Sequence, residues 1–237
     1  RKNIAKVLTG QRRVGKSFLL YQLMDQLLVE EPDANIIYIN FEDFAFSHIQ
    51  TAEDMHAYIM SKFRKEKYNY IFVDEIQEIV NFERVIRSLL LNENNDIYIT
   101  GSNAKMLSGE LATYLSGRYI EFSVYSLSYL EFLAFHKLEN NNESLYLYSR
   151  YGGLPYLINL PLKDETVNEY LKSVYSTIVF RDVVSRYNLR NSSFLEKLVQ
   201  FLSENIGNLF SAKNISDYLK SQHSTISVNQ IQNYTEY

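Results

Sequence analysis

A chain of 237 residues suits one large domain or two small ones. With 46% of its residues hydrophobic it carries enough apolar surface for a substantial core, which excludes wholesale disorder. A formal charge of −4 and an isoelectric point near 5.7 exclude a global field that gathers nucleic acid or an anionic membrane, so any basic surface has to be local.

The absence of cysteine removes disulfides, thiolate metal sites and cysteine nucleophiles together. No apolar run approaches the roughly 20 residues that cross a bilayer. No signal peptide precedes the first strand-like segment. A cytoplasmic protein without a membrane partner is the expectation. Both ends read as cut, as in part of a longer chain.

Short apolar runs alternate with helical periodicity through the first half. Ile4–Thr9 reads as a strand and Ser17–Glu30 as a helix, with Phe18, Leu19, Leu20, Leu23, Leu27 and Leu28 at helical spacing. Asn35–Phe41 is a buried strand, Ala52–Lys65 a helix, Tyr70–Val73 a strand and Phe82–Leu91 a helix. Ile97–Thr100 is a strand, Ala104–Leu115 a helix and Tyr119–Phe122 a fifth strand. Five such strands separated by four helices predict an α/β fold, a parallel sheet with helices on both faces and right-handed crossovers. Beyond Phe122 the pattern turns helical: Leu127–Leu138, a polar break at 140–142, Tyr146–Arg150, then Gly152-Gly-Leu-Pro155 and a long helix over Thr166–Tyr187. Boundaries fall near 123 and, more softly, near 190. The predicted parts are an αβα core (1–123), a helical segment (124–190) and a C-terminal segment (191–237).

The first strand runs straight into GQRRVGKS, Gly10 to Ser17, which fits G-x-x-x-x-G-K-[ST] without a mismatch. Such a loop points its backbone N–H groups, and those of the following helix, at phosphate oxygens. Glycine is needed where a side chain blocks the phosphate or φ is positive. The expected binding stretch is therefore Gly10, Gln11, Arg12, Arg13, Val14, Gly15, Lys16, Ser17 and Phe18. Lys16 would bridge the β- and γ-phosphates and the Ser17 hydroxyl would ligate Mg²⁺. Arg12 and Arg13 can face phosphate, a partner or only solvent.

In YIFVDEIQEI the third strand delivers Asp74 and Glu75 to its C-terminal end. Asp74 suits support of Mg²⁺ and Glu75 suits polarising the attacking water. An ordinary polar strand end is the plainer reading of such a pair. A glutamate beside the metal aspartate is what a hydrolase needs and a kinase can omit. No Asn-Lys-x-Asp tetrapeptide reads guanine anywhere, which disfavours a GTPase. The fourth strand ends at Ser102 and Asn103, where an open parallel sheet hosts its ligand. Asn103 is the expected γ-phosphate sensor, with a helix cap as the alternative. Asn40, at the end of the second strand, either holds Glu75 or caps its own loop. Arg118 enters the fifth strand and either neutralises transition-state charge in a neighbouring subunit, which requires a homo-oligomer, or pairs with a nearby acid.

Taken together these residues resemble the AAA-type P-loop ATPases. More narrowly, VLTGQRRVGKSFLL, YINFED, IFVDEIQ, YITGSNAKML, LSGRYIEF and YSLSYLEF are similar to bacterial and archaeal ATPases in which an AAA domain precedes a domain of unknown function (AAA_14/DUF4143-like). The resemblance implies an ATP-binding three-layer αβα P-loop NTPase with a five-stranded parallel sheet, a small helical lid and, often, a winged helix. It makes Gly15, Lys16 and Ser17 the Walker A residues, Asp74 and Glu75 the Walker B pair, and Asn103 the sensor. It likens Gly152-Gly-Leu-Pro155 to a Gly-x-Pro lid motif that puts Pro155 near the nucleotide base, with a helix-initiating turn as the alternative. Arg150 and Arg181 are candidates for the lid arginine.

At the C-terminal end, Phe194–Asn205 and Ala212–Ser221, the second capped by Ser211, precede a third helix over Thr225–Tyr237, a partial helix-turn-helix layout. STISVNQIQNYTEY carries no Lys or Arg, whereas phosphate contacts dominate DNA affinity. Unless Lys213, Lys220 and His223 supply the charge, a structural or protein-binding role competes with DNA. The four histidines lack metal-ligand spacing. The functional expectation is an ATP- and Mg²⁺-dependent hydrolase working as a conformational switch or small motor. The rival is a nucleotide-regulated DNA-binding or scaffold module with incidental turnover.

Overall fold

The computed structural model describes residues 3–101, 115, 117–179, 192–221 and 231, in two compact units divided between 170 and 171. In the first unit five parallel strands form one sheet: β1 (Ala5–Thr9), β2 (Asn35–Asn40), β3 (Asn69–Asp74), β4 (Asn95–Gly101) and β5 (Tyr119–Ser123). Their order across the sheet is β2-β3-β4-β1-β5. β4 therefore lies between β1 and β3, in register with both: Thr100 stands beside Leu8 and Ile99 beside Val73.

The period-two alternation of the strands explains the three layers. Ala5, Val7, Ile37, Ile39, Ile71, Val73, Ile97 and Ile99 face one way. They pack with Met55 and Ile59 of α2 (Ala52–Lys62) and Val85, Ile86 and Leu89 of α3 (Phe82–Leu89). Leu8, Tyr70 and Phe72 face the other way, with Tyr38 and Tyr98, against Leu20, Leu23, Met24 and Leu27 of α1 (Lys16–Glu30). The inner strands thus feed two apolar layers, which is why β3 is buried at all six of its positions. The αβα arrangement and parallel sheet predicted from the sequence are what the structure shows.

At the N-terminal edge a row of asparagines in register ties the loops down. Asn35, Asn69 and Asn95 open β2, β3 and β4. The Asn35 amide donates to Asn69 at 2.7 Å, Asn69 bonds the backbone of Arg64 and Lys67, and the Asn95 amide donates to Leu89 O at 2.8 Å.

Element ends depart from expectation where side chains cap the backbone. α4 (Tyr129–His136) is shorter than the stretch predicted over 127–138, because Ser128 and Glu131 form a capping box at its start. The polar break predicted at 140–142 does separate α4 from α5 (Asn142–Tyr151), but its last residue already opens α5: the Asn141 side chain accepts from Ser144 N–H and caps it. A 3-10 turn over Pro155–Asn159 follows, then α6 (Asp164–Ser176). In the second unit α7 (Ser192–Glu204) and α8 (Ala212–Ser221) pack around Leu198, Phe201, Ile215, Leu219 and Ile231. The helix expected over 104–115 and the third helix expected over 225–237 lie outside the described residues, apart from Leu115 and Ile231. No helix among the described residues is long and apolar enough to cross a membrane.

Candidate functional site: the C-terminal edge of the sheet

The loop after β1 is shaped by two glycines that no other residue replaces easily. Gly10 has φ +146°, and a Cβ there would lie 2.2 Å from Val124 O. Val124, just past the end of β5, is held there by its N–H donating to Thr9 O at 2.7 Å. Gly15 has φ +100° and opens α1; no side chain caps that helix and no acidic residue sits in its first turn. Its orphan N–H groups and dipole are thus left for an anion. A Cβ on Gly15 would stand 3.8 Å from Pro155 Cγ, so the Gly-Gly-Leu-Pro segment comes down beside the loop. Gly153 is pressed as closely on Leu127, whose N–H donates to Gly153 O at 2.7 Å.

Lys16 is buried, and its ammonium donates to Gly10 O and Gln11 O, each at 2.9 Å. The lysine is folded back across its own loop. Burial pulls its pKa below the usual lysine value, while the carboxylates of Glu75 and Asp74 push it back up. Those two carboxylates therefore act on Lys16 across β4 although some sixty residues separate them in sequence.

At the end of β3, Asp74 is 1% exposed and accepts from the Thr100 hydroxyl. The same Thr100 oxygen accepts from Glu75 N–H at 3.1 Å. One threonine on β4 thus fixes both acidic residues. Glu75 sits in the left-handed region at φ +54°, ψ 46°, opening a 3-10 turn over Ile76–Glu78. Gln77 on that turn donates from Nε2 to Glu75 Oε2. Thr9, at the end of β1, donates to Glu121 at 2.7 Å.

The remaining expected residues fall as follows. Ser17 stands in the first turn of α1, and Val14 is buried against Gly10. Phe18 is 66% exposed, and Gln11 and Arg13 are exposed too, Arg13 at φ +68°. Arg12 reaches Glu42 at 3.2 Å, and Glu42 N–H donates to Asn40 Oδ1 at 2.9 Å, which is the loop-capping role for Asn40. Arg118 precedes β5, at the opposite edge of the sheet. It is about 16 Å, the length of five strand residues, from the end where the loop of its own chain lies. Arg150 is held by Asp164 through two bonds of 2.6 Å, with the Tyr151 hydroxyl also donating to Asp164 at 2.7 Å. Asn103, Ser102 and Arg181 lie outside the described residues. Thr100 and Gln77 went unremarked in the sequence. Thr100 becomes visible only once β4 is known to lie between β1 and β3, and Gln77 only once Glu75 is seen to turn left-handed.

The donor set fits a magnesium ion. Among the described residues no three ionisable ligands cluster as a cage. Mg²⁺ instead keeps waters and substrate phosphates and needs only one or two protein oxygens. Ser17, where α1 begins, and Asp74 offer one hydroxyl and one carboxylate at the same edge of the sheet. Two surface concavities lie elsewhere, by Pro32, Lys67 and Tyr68 and beside β2, away from these groups.

A parallel αβα sheet whose first strand ends in a glycine loop with a buried lysine, and whose third ends in paired carboxylates, defines a P-loop nucleotide-binding protein. Comparison with known proteins places it further. The model of an AAA domain matches residues 2–133 and that of a domain of unknown function (DUF8612) matches residues 142–237. The chain belongs to the AAA domain family, with the AAA domain followed by a domain of unknown function; the second carries a different number from the one the sequence suggested. It is similar to an uncharacterised protein of Haemophilus influenzae, 36% identical over 238 residues covering 98% of this chain and 59% of that one. It is also similar to the uncharacterised MJ1544 of Methanocaldococcus jannaschii, 32% identical over 250 residues covering 99% and 54%. The chain thus spans little more than half the length of these relatives. A 95-residue stretch, 37% of this chain and 21% of the other, is 30% identical to the chromosomal replication initiator DnaA of Enterococcus faecalis. Among solved structures, Aeropyrum pernix ORC1 in complex with DNA covers 98% of this chain and 76% of its own, at 11% identity and a TM-score of 0.43. Pyrobaculum aerophilum Cdc6p covers 98% and 78%, at 13% identity and a TM-score of 0.44.

Proposed function

We propose that this chain binds ATP with Mg²⁺ and hydrolyses it, using the cycle as a conformational switch or small motor. The observation that carries this reading is the convergence of buried Lys16, Asp74 and Glu75 on one edge of the sheet, the two acids bridged by Thr100 and both acting electrostatically on the lysine. Gly10–Ser17 bind the phosphates through backbone N–H groups. Lys16 leaves the carbonyls of Gly10 and Gln11 for the β- and γ-phosphates. Ser17 and Asp74 hold the Mg²⁺, which when bound neutralises charge developing on the phosphates. Glu75 takes a proton from the attacking water, and Asn103 senses the γ-phosphate.

Pro155 lies near the base, as its approach to Gly15 supports, and residues 124–190 act as the lid. Arg150, bound twice by Asp164, is a strut of that lid. Arg118 serves a neighbouring subunit's site within a homo-oligomer, since its own chain's loop lies at the far edge. The C-terminal segment, a partial winged helix, takes a protein partner in preference to DNA. Lys220 pairs with Asp217 at 3.6 Å, and Ile206 and Leu209 stand exposed between α7 and α8.

Lys16→Ala tests the binding half of the proposal by calorimetry with ATP and Mg²⁺. Losing a buried charge and its charge-assisted bonds, worth about 1.5–3 kcal/mol each, should weaken ATP at least ~50-fold, which is about 2.3 kcal/mol. Unchanged affinity would refute the phosphate loop.

A further inference from the structure

Gln77 stands on the 3-10 turn that Glu75 opens, and that turn is stiff. Ile76 is fully buried, Glu78 N–H donates to Glu75 O at 3.1 Å, and Ile79 N–H donates to Ile76 O at 3.1 Å. From this fixed base the Gln77 amide donates Nε2–H to Glu75 Oε2. The bond also settles which end of the amide is which, because an amide oxygen in that place would repel a carboxylate. Its other end, Oε1, is fully buried and has no hydrogen-bond partner among the described residues. A buried acceptor left unmatched costs about 1–3 kcal/mol, and in a native protein such an atom asks for an explanation, an ordered water being a common one.

The two observations complement each other. The Glu75 carboxylate and Gln77 Oε1 are two acceptors held side by side by one hydrogen bond; both are covered here, so a water, with two hydrogens to give, reaches the pair as this corner opens around bound nucleotide. We infer that Glu75 and Gln77 form a two-acceptor cradle for the attacking water, in which Gln77 is a positioning residue. This deepens, and rests on, the reading of Glu75 as the group that activates water.

One water O–H donates to Glu75 and the other to Gln77 Oε1, which turns the water's lone pair away from both and towards the γ-phosphorus. As the new O–P bond forms, the bond from the γ-phosphorus to the bridging oxygen breaks and ADP leaves with that electron pair. The proton from the first O–H passes to Glu75. Gln77 keeps the second hydrogen bond and exchanges no proton. Orientation of this kind lowers the barrier by fixing the approach before reaction. Of the charged groups near this corner, Lys16, Asp74, Arg12 and Glu42, Asp74 and Lys16 are on this reading occupied with Mg²⁺ and phosphate, and Arg12 reaches Glu42.

The test compares Gln77→Ala, Gln77→Glu and Glu75→Gln in the whole chain. Three quantities are measured: ATP affinity, steady-state turnover against pH, and the affinity of ADP–aluminium fluoride, which mimics the in-line transition state. Gln77→Ala is expected to lower kcat about 10- to 100-fold and to weaken the ADP–aluminium fluoride complex by a similar factor, the range of one lost positioning interaction. ATP affinity should stay within a factor of two to three. In Gln77→Glu two adjacent carboxyls share a proton, so the acid limb of its pH–rate profile moves to higher pH. Wild-type kcat in Gln77→Ala overturns the inference. So does a fall in activity matched by an equal fall in ATP affinity, the mark of a merely structural role. Turnover that survives in Glu75→Gln overturns the reading beneath it, while loss in Glu75→Gln with no effect at Gln77 overturns the cradle alone.

Discussion

Arg13 and Glu75 hold left-handed backbone without being glycine, at φ +68° and +54°. Each costs on the order of 1 kcal/mol or more, and such positions persist only where their surroundings over-determine them. Around Glu75 the surroundings are visible: its N–H bonds Thr100, its carboxylate bonds Gln77, and Ile76 is locked in the core. Thr100 is the pivot. Its hydroxyl donates to Asp74 and accepts from Glu75, and all three residues are buried. Thr100→Val keeps the shape and removes both bonds, leaving a buried carboxylate and a buried N–H unmatched. Denaturant unfolding should show a loss of about 2–4 kcal/mol, and Thr100→Ser should recover most of it. A Thr100→Val protein as stable as the parent would remove Thr100 from this role.

The strands were legible in the sequence because each apolar run feeds two layers, and the phosphate loop because its spacing is nearly unique. Strand order was not. Asp74 and Glu75 act on Lys16 across the intervening β4, from which Thr100 bonds both acids, and no residue in β4 advertises its neighbours. The capping asparagine at 141 was hidden for a different reason: a run of three asparagines reads as a break until one side chain is seen to take the Ser144 N–H. The sheet also carries a property that composition alone does not show. Tyr38, Tyr70 and Tyr98 lie on the α1 face, where burial raises all three phenols, Tyr70 to about 12 with help from its bond to Glu31. An unfolded phenol ionises near 10. Between that pH and about 12 the unfolded chain binds fewer protons than the folded one, so stability falls as pH rises. Below pH 10 the contribution is fully present. Phenolate absorbance followed beside circular dichroism should show exposed tyrosines titrating first and the buried three only as the fold is lost. All 20 tyrosines titrating together near pH 10 with the fold intact would contradict this.

Across the whole molecule, the fold and the site both point to nucleotide binding. The chain spans 59% and 54% of its curated relatives, and the two family models divide it between an AAA domain and a domain of unknown function. On the proposed reading phosphate cleavage is converted into movement, whereas the rival, a nucleotide-held scaffold, needs only binding. Glu75→Gln separates the two directly, since it keeps the shape of the side chain and removes the base. The decisive measurement is single-turnover ATP cleavage by the parent and by Glu75→Gln, at matched nucleotide occupancy with Mg²⁺. The account predicts cleavage by the parent and a loss of about 100-fold or more in the variant, the upper part of what general-base catalysis contributes, with ATP still bound. Tight binding without cleavage in the parent, or equal cleavage in both, would contradict it.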